Sequence, residues 1–210
     1  MGKKGTVVID PGHGGVVEVG GSSPNNATSP SGVLEKNITL RLAFLVREEL
    51  RQEAKVGNHQ IKVVLTRKND VNLGLTARAE VAKKNNADLF LSIHCNASEK
   101  HNARGVETLI RPKTAGNTNH AADKAFAQKI QDAVFSAVQA HDPKTKDRKV
   151  KDQVLAVLKD QHLGTARGCL VEIEFIDRTD VDQLLNIGPN SPAVRQDIAR
   201  AIAHALIASL

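Results

Sequence analysis

Aromatic residues are scarce in this 210-residue chain, which has five Phe and neither Trp nor Tyr. Stacking on single-stranded bases and packing against sugar faces both depend on aromatic rings, so modules of those two kinds are disfavoured. The core must therefore be aliphatic, and a domain of this length can bury such a core without disulfides. No apolar run approaches about 18 residues, and we expect no membrane span.

Cysteine is also rare. Cys95 and Cys169 each lie in an apolar run, which indicates buried free thiols, with a disulfide or a ligand role as the alternative. The amino-terminal segment passes directly into a short strand and lacks an apolar h-region and a small-residue cleavage site. We therefore expect no signal peptide.

The chain carries a net charge of +6, which favours an anionic partner such as nucleic acid, an acidic membrane surface or a cell-wall polymer. A basic run between Lys144 and Lys151 is predicted to be a solvated loop, with attraction to an anionic wall polymer as the alternative. Because no nucleic-acid recognition motif is present, we expect no nucleic-acid partner.

Strand-like and helix-like segments alternate along the chain. This order predicts a single α/β domain over residues 1–210, with a mainly parallel twisted sheet of about six strands and helices on both faces. No repeat or linker is evident, and we expect no separate wall-binding module. Strands are predicted at 6–9, 60–65, 87–93, 105–110, 154–158 and 169–175, and helices at 33–54 (capped by Ser31), 75–86, 120–140 and 193–210.

Four ionisable residues lie where such a fold places its site. His13 and His94 follow predicted strands, Glu172 lies in a late strand, and Glu35 lies near the start of the first helix. Two imidazoles and one carboxylate would leave a fourth zinc position open, as catalytic zinc requires. Each residue also has a simpler interpretation, as a turn residue, a core histidine or a helix-dipole partner.

Residues two apart in a strand share a face, so Glu172 and Glu174 are predicted to point the same way, about 7 Å apart. Carboxylates in an apolar strand favour a metal, a cation or a functional pocket over a purely structural role. The same alternation directs Cys95 away from the face of His94, which excludes Cys95 from the expected metal ligands.

Weaker predictions concern three polar residues near these. Asn96 and Ser92 share the face of His94 and are candidates to hydrogen-bond substrate or the ligands, with ordinary strand-end bonding as the alternative. Asp10 is a candidate to hold the His13 loop, or else to cap a turn.

Four motifs in order resemble the type 3 zinc-dependent N-acetylmuramoyl-L-alanine amidase family, from about Val7 to the final helix. They read VVIDPGHGG, LEKNITLRLA, VVLTRKND with LTARAEVAKKNNADLFLSIHCNAS, and CLVEIEF. The resemblance implies that His13, Glu35 and His94 bind one Zn²⁺ per chain and that Glu172 is the catalytic glutamate. It also implies a mixed, mainly parallel sheet.

The chain departs from the family pattern at Glu174, where a glycine is common, and at Arg167-Gly168-Cys169, which replaces a frequent proline-containing approach. Glu174 could assist substrate binding or the titration of Glu172, and a salt bridge to a nearby Lys or Arg is an equal alternative.

The expected function is hydrolysis of the amide between N-acetylmuramic acid and L-alanine in peptidoglycan, by a monomer. A phage lysin stored in the host cytoplasm and the mature domain of a secreted or periplasmic enzyme both fit this function. The alternatives are a zinc carboxypeptidase acting on the stem peptide and a non-catalytic wall-binding domain.

Overall fold

In a computed structural model, which describes residues 2–210, one six-stranded sheet runs through the protein. Neighbouring strands are parallel except for β4 and β6, which are antiparallel. The predicted α/β class with a mixed, mainly parallel sheet is confirmed. The strands are β1 (Lys4–Pro11), β2 (Gln60–Leu65), β3 (Leu89–Asn96), β4 (Val106–Ile110), β5 (Asp147–Asp152) and β6 (Arg167–Phe175), in the spatial order β2-β1-β3-β6-β4-β5.

Helices cover both faces of the sheet. Three long ones, α1 (Glu35–Val56), α3 (His120–His141) and α6 (Ser191–Ser209), bury aliphatic side chains in the main core on one face. The other face is covered by α2 (Leu75–Lys84) and the short α4 (Asp160–Leu163), while α5 (Thr179–Asp182) continues into a π-helical turn at Gln183–Ile187. Within residues 2–210, no helix combines the length and the apolarity needed to cross a membrane.

The face under α2 changes character along the strands. It is apolar at Val8, Phe90 and Leu170, which are buried against α2 and its neighbours. Two residues further along each strand, the same face carries Asp10, Ser92 and Glu172, because side chains alternate with a period of two. The sheet therefore ends in a polar region at the carboxyl ends of β1, β3 and β6.

The predicted strand at 154–158 is wrong. The strand lies earlier, at Asp147–Asp152, where it forms the sheet edge beside β4. Edge strands tolerate charged side chains, so the basic run predicted to be a loop is largely a strand. Val157 and Leu158 lie instead in a short 3₁₀ turn and pack into the smaller apolar cluster, which explains their hydrophobicity.

The predicted helix cap at Ser31 is also wrong. Helix α1 begins at Glu35 after Leu34, with no side-chain cap. The backbone nitrogen and the hydroxyl of Ser31 instead donate hydrogen bonds to Asp182, at 2.9 and 3.0 Å, and so tie the long loop to α5. The remaining helices and strands agree with the predicted ranges to within a few residues.

Both cysteines are free and buried, as predicted. At the amino-terminal ends of the strands, opposite the polar region, Leu210 packs against Gly5 near the start of β1. A Cβ on Gly5 would lie 2.6 Å from Cδ2 of Leu210, so a larger residue there would displace the Leu210 side chain.

Candidate active site

The loop after β1 presents His13 in a left-handed conformation, with φ of 59°. Gly12 precedes it and lies directly against the ring of His94, since a Cβ at this position would come within 2.3 Å of Cε1. The two imidazole rings consequently approach each other edge to face, with centroids 4.9 Å apart. The glycine before His13 is therefore needed for the two histidines to meet.

Two buried arginines hold this loop by its carbonyl groups. Arg78 donates to the carbonyl oxygens of Pro11 and His13, at 2.8 and 2.7 Å, and to Oδ1 of Asp10, at 2.9 Å. Arg67 donates to the carbonyl oxygens of Pro11 and Gly12, both at 2.9 Å. The loop that carries His13 is therefore fixed from α2 and from the segment after β2.

Asp10 helps to hold the His13 loop by binding Arg78, and its carboxylate accepts no turn-capping backbone hydrogen bond within residues 2–210. Burial opposes its ionisation, but Arg78 and the hydroxyl groups of Thr66 and Ser92 together hold the pKa of Asp10 below its usual value. The hydrogen bond predicted for Ser92 runs to Asp10, at 2.8 Å, and its partner is therefore neither a substrate nor a ligand side chain. Sequence reasoning missed Arg67 and Arg78, although both lie inside the quoted motifs.

The three predicted ligands lie together. Nε2 of His13 is 3.2 Å from Oε2 of Glu35, and Nδ1 of His94 is 2.9 Å from Oε1 of Glu35. One ligand atom from each residue lies within 4.8 Å of the other two, so the group could hold a metal ion. Nδ1 of His13 is 3.0 Å from the carbonyl oxygen of Ser23, an acceptor that fixes the tautomer with Nε2 free to bind a metal.

Glu35 is almost fully buried, and its charge is balanced by its neighbours. Besides the two imidazoles, its carboxylate accepts hydrogen bonds from the backbone nitrogens of Ala27 and Cys95, both at 3.1 Å. Burial disfavours the charged carboxylate, but the hydrogen bonds from His13 and His94 outweigh it and lower the pKa of Glu35 to about 2. Burial alone would lower the pKa of His13, whereas the bond to Glu35 raises it above its ordinary value.

Glu172 lies next to this group, because it pairs directly with His94 across β3 and β6. Its Oε2 is buried and has no hydrogen-bond partner among residues 2–210. Burial, followed by the charges of Glu35 and Glu107, raises the pKa of Glu172 well above its ordinary value. A carboxyl group that readily holds a proton, with a buried oxygen lacking a partner, is suited to proton transfer.

Glu174, the other weak candidate for substrate binding, makes its contacts within the protein. Its side chain is fully buried, and its carboxylate accepts hydrogen bonds from the backbone nitrogen of Gly105, at 2.8 Å, and from Oγ1 of Thr145, at 2.6 Å. A bulge, with one extra residue in β6 between the partners of His94 and Asn96, breaks the alternation behind the predicted carboxylate pair. The alternative interpretation holds, since Arg104 lies 3.7 Å away.

Asn96 donates a 2.9 Å hydrogen bond to Oε1 of Glu107, a residue that sequence reasoning missed. Glu107 pairs with Glu172 across β4 and β6 and therefore belongs to the same polar region. The substrate contact predicted for Asn96 stays a prediction.

A cavity of about 110 Å³ lies beside His13, His94 and Arg78, whereas a larger one of about 310 Å³, near His141 and Val194, contains none of the site residues.

Comparison with known proteins agrees with this geometry. The sequence model of N-acetylmuramoyl-L-alanine amidase matches residues 7–208. The chain belongs to that family. The amidase AmiA of Escherichia coli strain K12 is 29% identical over 98% of this chain and 76% of its own length. The endolysin of Bacillus phage SPP1 is 28% identical over 95% of this chain and 65% of its own length.

The solved structures give the same result. The crystal structure of an N-acetylmuramoyl-L-alanine amidase from Clostridium difficile 630 superimposes with a TM-score of 0.78 at 26% identity, over 98% of this chain and 96% of that one. The predicted family, fold and enzyme class are confirmed. Membership of this family favours hydrolysis of the amide between N-acetylmuramic acid and L-alanine over the two alternatives, a stem-peptide carboxypeptidase and a non-catalytic wall-binding domain.

Proposed function

We propose that the enzyme uses zinc to hydrolyse the amide between N-acetylmuramic acid and L-alanine in peptidoglycan. The observation that carries this proposal is the position of Glu172. Its Oε2, which has no hydrogen-bond partner among residues 2–210, lies beside the group formed by His13, Glu35 and His94. Two imidazole nitrogens and a carboxylate oxygen are a donor set that zinc favours, so these residues fit the metal. When bound, zinc would polarise the scissile carbonyl and acidify a water molecule.

In the proposed reaction, the protein's own residues orient the groups and move protons. Ser23 holds the ring of His13 through Nδ1, and the backbone nitrogens of Ala27 and Cys95 hold the carboxylate of Glu35. Oε2 of Glu172 accepts a proton from the attacking water and passes it to the departing amine of L-alanine. The raised pKa of Glu172 supports the second of these transfers, because it keeps the proton on the carboxyl until the amine leaves.

The proposal can be tested by digestion of purified peptidoglycan, with the fragments identified by mass spectrometry. The protein as purified should release stem peptides with a free L-alanine amine. Chelator-treated protein should release none until zinc is restored, and Glu172→Ala protein should release none with or without zinc. Glu48→Ala is the matched control, since Glu48 lies half exposed on α1.

Zinc content provides a second readout. We expect one zinc per chain by elemental analysis, lost in His94→Ala and kept in Glu172→Ala. Release of free D-alanine would indicate a carboxypeptidase, and an intact wall with no bound zinc would contradict the catalytic proposal.

Three broader predictions belong with this proposal. Residues 1–210 are expected to act as one catalytic domain, and both apolar clusters pack on a single sheet, which supports this. A monomer is expected, as sedimentation would test. The cellular setting is expected to be that of a phage lysin or of a wall enzyme that acts outside the cytoplasm.

A further inference from the structure

A row of polar side chains leads from the candidate metal ligands toward the edge of the sheet. His94 on β3 pairs with Glu172 on β6, and Glu172 pairs with Glu107 on β4. From β5, the edge strand, Arg148 and Lys151 reach the carboxylate of Glu107. The row therefore crosses four neighbouring strands and ends in two basic side chains.

Arg148 is held in place by two contacts. Its Nε donates a 2.7 Å hydrogen bond to Oε2 of Glu107, and the carbon of its guanidinium group lies 4.9 Å from the centre of the Phe175 ring. Its two terminal nitrogens make no hydrogen bond to any of residues 2–210, and the side chain is 33% exposed. The guanidinium group is thus oriented and accessible, and its two terminal nitrogens, free of hydrogen bonds to residues 2–210, are the atoms that would bind an anion.

Neutralising Glu107 does not require Arg148. Lys151 donates to the same Oε2, and Asn96 donates to Oε1. Glu107 therefore has two cationic partners, Arg148 and Lys151. An oriented guanidinium group with free terminal nitrogens binds a planar carboxylate through two parallel hydrogen bonds, so the geometry of Arg148 fits a carboxylate ligand.

The position of Arg148 relates that carboxylate to the proposed substrate. Arg148 lies two strands from Glu172, which is about 10 Å at the usual strand spacing of about 4.8 Å. An extended peptide covers that distance with about three residues. In a muramoyl peptide, the lactyl carboxyl group is part of the scissile amide, so the free carboxylates lie in the peptide.

We propose that Arg148 binds a carboxylate within the first three residues of the stem peptide and so selects stems in which that carboxyl group is not amidated. The inference rests on the proposed function and adds a specificity-determining residue to it. The carboxylate would accept hydrogen bonds from both terminal nitrogens of Arg148, while Glu107 and Phe175 hold the rest of the side chain.

The test uses synthetic muramoyl tripeptides that differ only in whether the carboxyl group of the second or third residue is free or amidated. For the unmodified enzyme, amidation at one of these positions should lower kcat/KM about tenfold, mainly through KM. Arg148→Gln should cleave the acid and the amide equally well. Arg148→Lys should retain only part of the preference, because lysine keeps the positive charge but cannot form the two parallel hydrogen bonds of a guanidinium group.

Lys149→Gln is the matched control. It removes the same charge from the same strand, but Lys149 pairs with Asp147 and does not reach Glu107. This variant should discriminate like the unmodified enzyme. Urea unfolding midpoints of all variants would show that each is folded.

Direct binding separates this inference from the proposed function. Calorimetry with Glu172→Gln protein should give a Kd about tenfold lower for the acid than for the amide, and Arg148→Gln added to that protein should remove the difference. Equal Kd values for both peptides, or a preference that survives Arg148→Gln, would overturn the role of Arg148. If no tripeptide is cleaved although the acid is preferred in binding, the proposed reaction fails and the role of Arg148 stands.

Discussion

The two halves of the candidate site differ in how completely the fold satisfies them. In the ligand half, which consists of His13, Glu35 and His94, the carboxylate of Glu35 accepts contacts from both imidazoles and from two backbone nitrogens. In the other half, Oε2 of Glu172 is buried without a partner among residues 2–210. Native proteins leave few buried polar atoms in this state.

The hydrogen bonds of Glu35 in the ligand half are made within the folded protein, whereas Oε2 of Glu172 receives none from residues 2–210. The ligand half is held together by its own hydrogen bonds. Glu172 carries a desolvation cost of roughly 1–3 kcal/mol that no hydrogen bond from residues 2–210 to its Oε2 offsets. Replacement of Glu172 should therefore lower activity while the free energy of unfolding stays equal or rises.

The largest effect should come from Glu172→Gln, which keeps the shape of the side chain and removes its ability to take a proton. We expect kcat to fall about 10³-fold, while bound zinc is retained and the free energy of unfolding stays equal or rises. Steady-state kinetics, elemental analysis and urea unfolding measure the three quantities. A variant that loses stability would show that the carboxylate is satisfied by the protein after all.

The second-largest effect should come from Arg78, one of the two buried arginines that hold the His13 loop. Arg78→Met leaves Asp10 charged and buried without its main partner, and we expect a loss of about 3–5 kcal/mol in the free energy of unfolding. Urea unfolding of the metal-free protein is the measurement, and Arg51→Met, at an exposed position on α1, is the control. A loss below 1 kcal/mol would mean that the loop is held by other contacts.

The pH dependence of the free energy of unfolding provides a further test of Glu172. Because the pKa of Glu172 is raised in the folded protein, the unfolded chain releases this proton first as pH rises past the ordinary value of 4.5. The metal-free protein should therefore lose stability relative to Glu172→Gln, by up to about 1.4 kcal/mol per pH unit, from 4.5 up to the folded pKa. Unfolding midpoints measured between pH 4 and 8 would reveal this, and a constant difference would contradict it.

The smallest effect should come from Ser23→Ala. It removes the 3.1 Å contact between the hydroxyl and Nδ1 of His13 but keeps the 3.0 Å contact with the carbonyl oxygen. We expect the Kd for zinc to rise about twofold to threefold, measured by competition with a chelator. Ser136→Ala, on the exposed face of α3, should have no effect, and a tenfold change in Ser23→Ala would assign the orientation of His13 to the hydroxyl.

Much of the fold could be predicted from sequence because the inner strands are predominantly apolar segments between polar loops, as at 87–93 and 169–175. The edge strand β5 could not, because it has one neighbour and carries the charges typical of a loop. Val157 and Leu158, two of the apolar residues that suggested a strand at 154–158, pack beneath α2 instead. Periodicity thus identified buried strands and failed where a strand is exposed.

The site shows the same limit. The proximity of His13, His94 and Glu172 could be predicted because they follow or occupy buried strands, and that of Glu35 because it lies near the start of the first helix. The roles of Arg67 and Arg78 depend on contacts with residues 55 to 68 positions away, which spacing does not reveal. The burial of Glu174 depends on a bulge in β6, and a period of two assumes that no bulge occurs.

The contact between Leu210 and Gly5 has a practical consequence for protein engineering. The two ends of the described chain lie close together, at the end of the sheet opposite His13 and Glu172. A surface linker or a fused module attached at either end would leave the candidate site pointing away from the attachment point. A short peptide joining the two ends would also permit circular permutation, with new termini opened in an exposed loop.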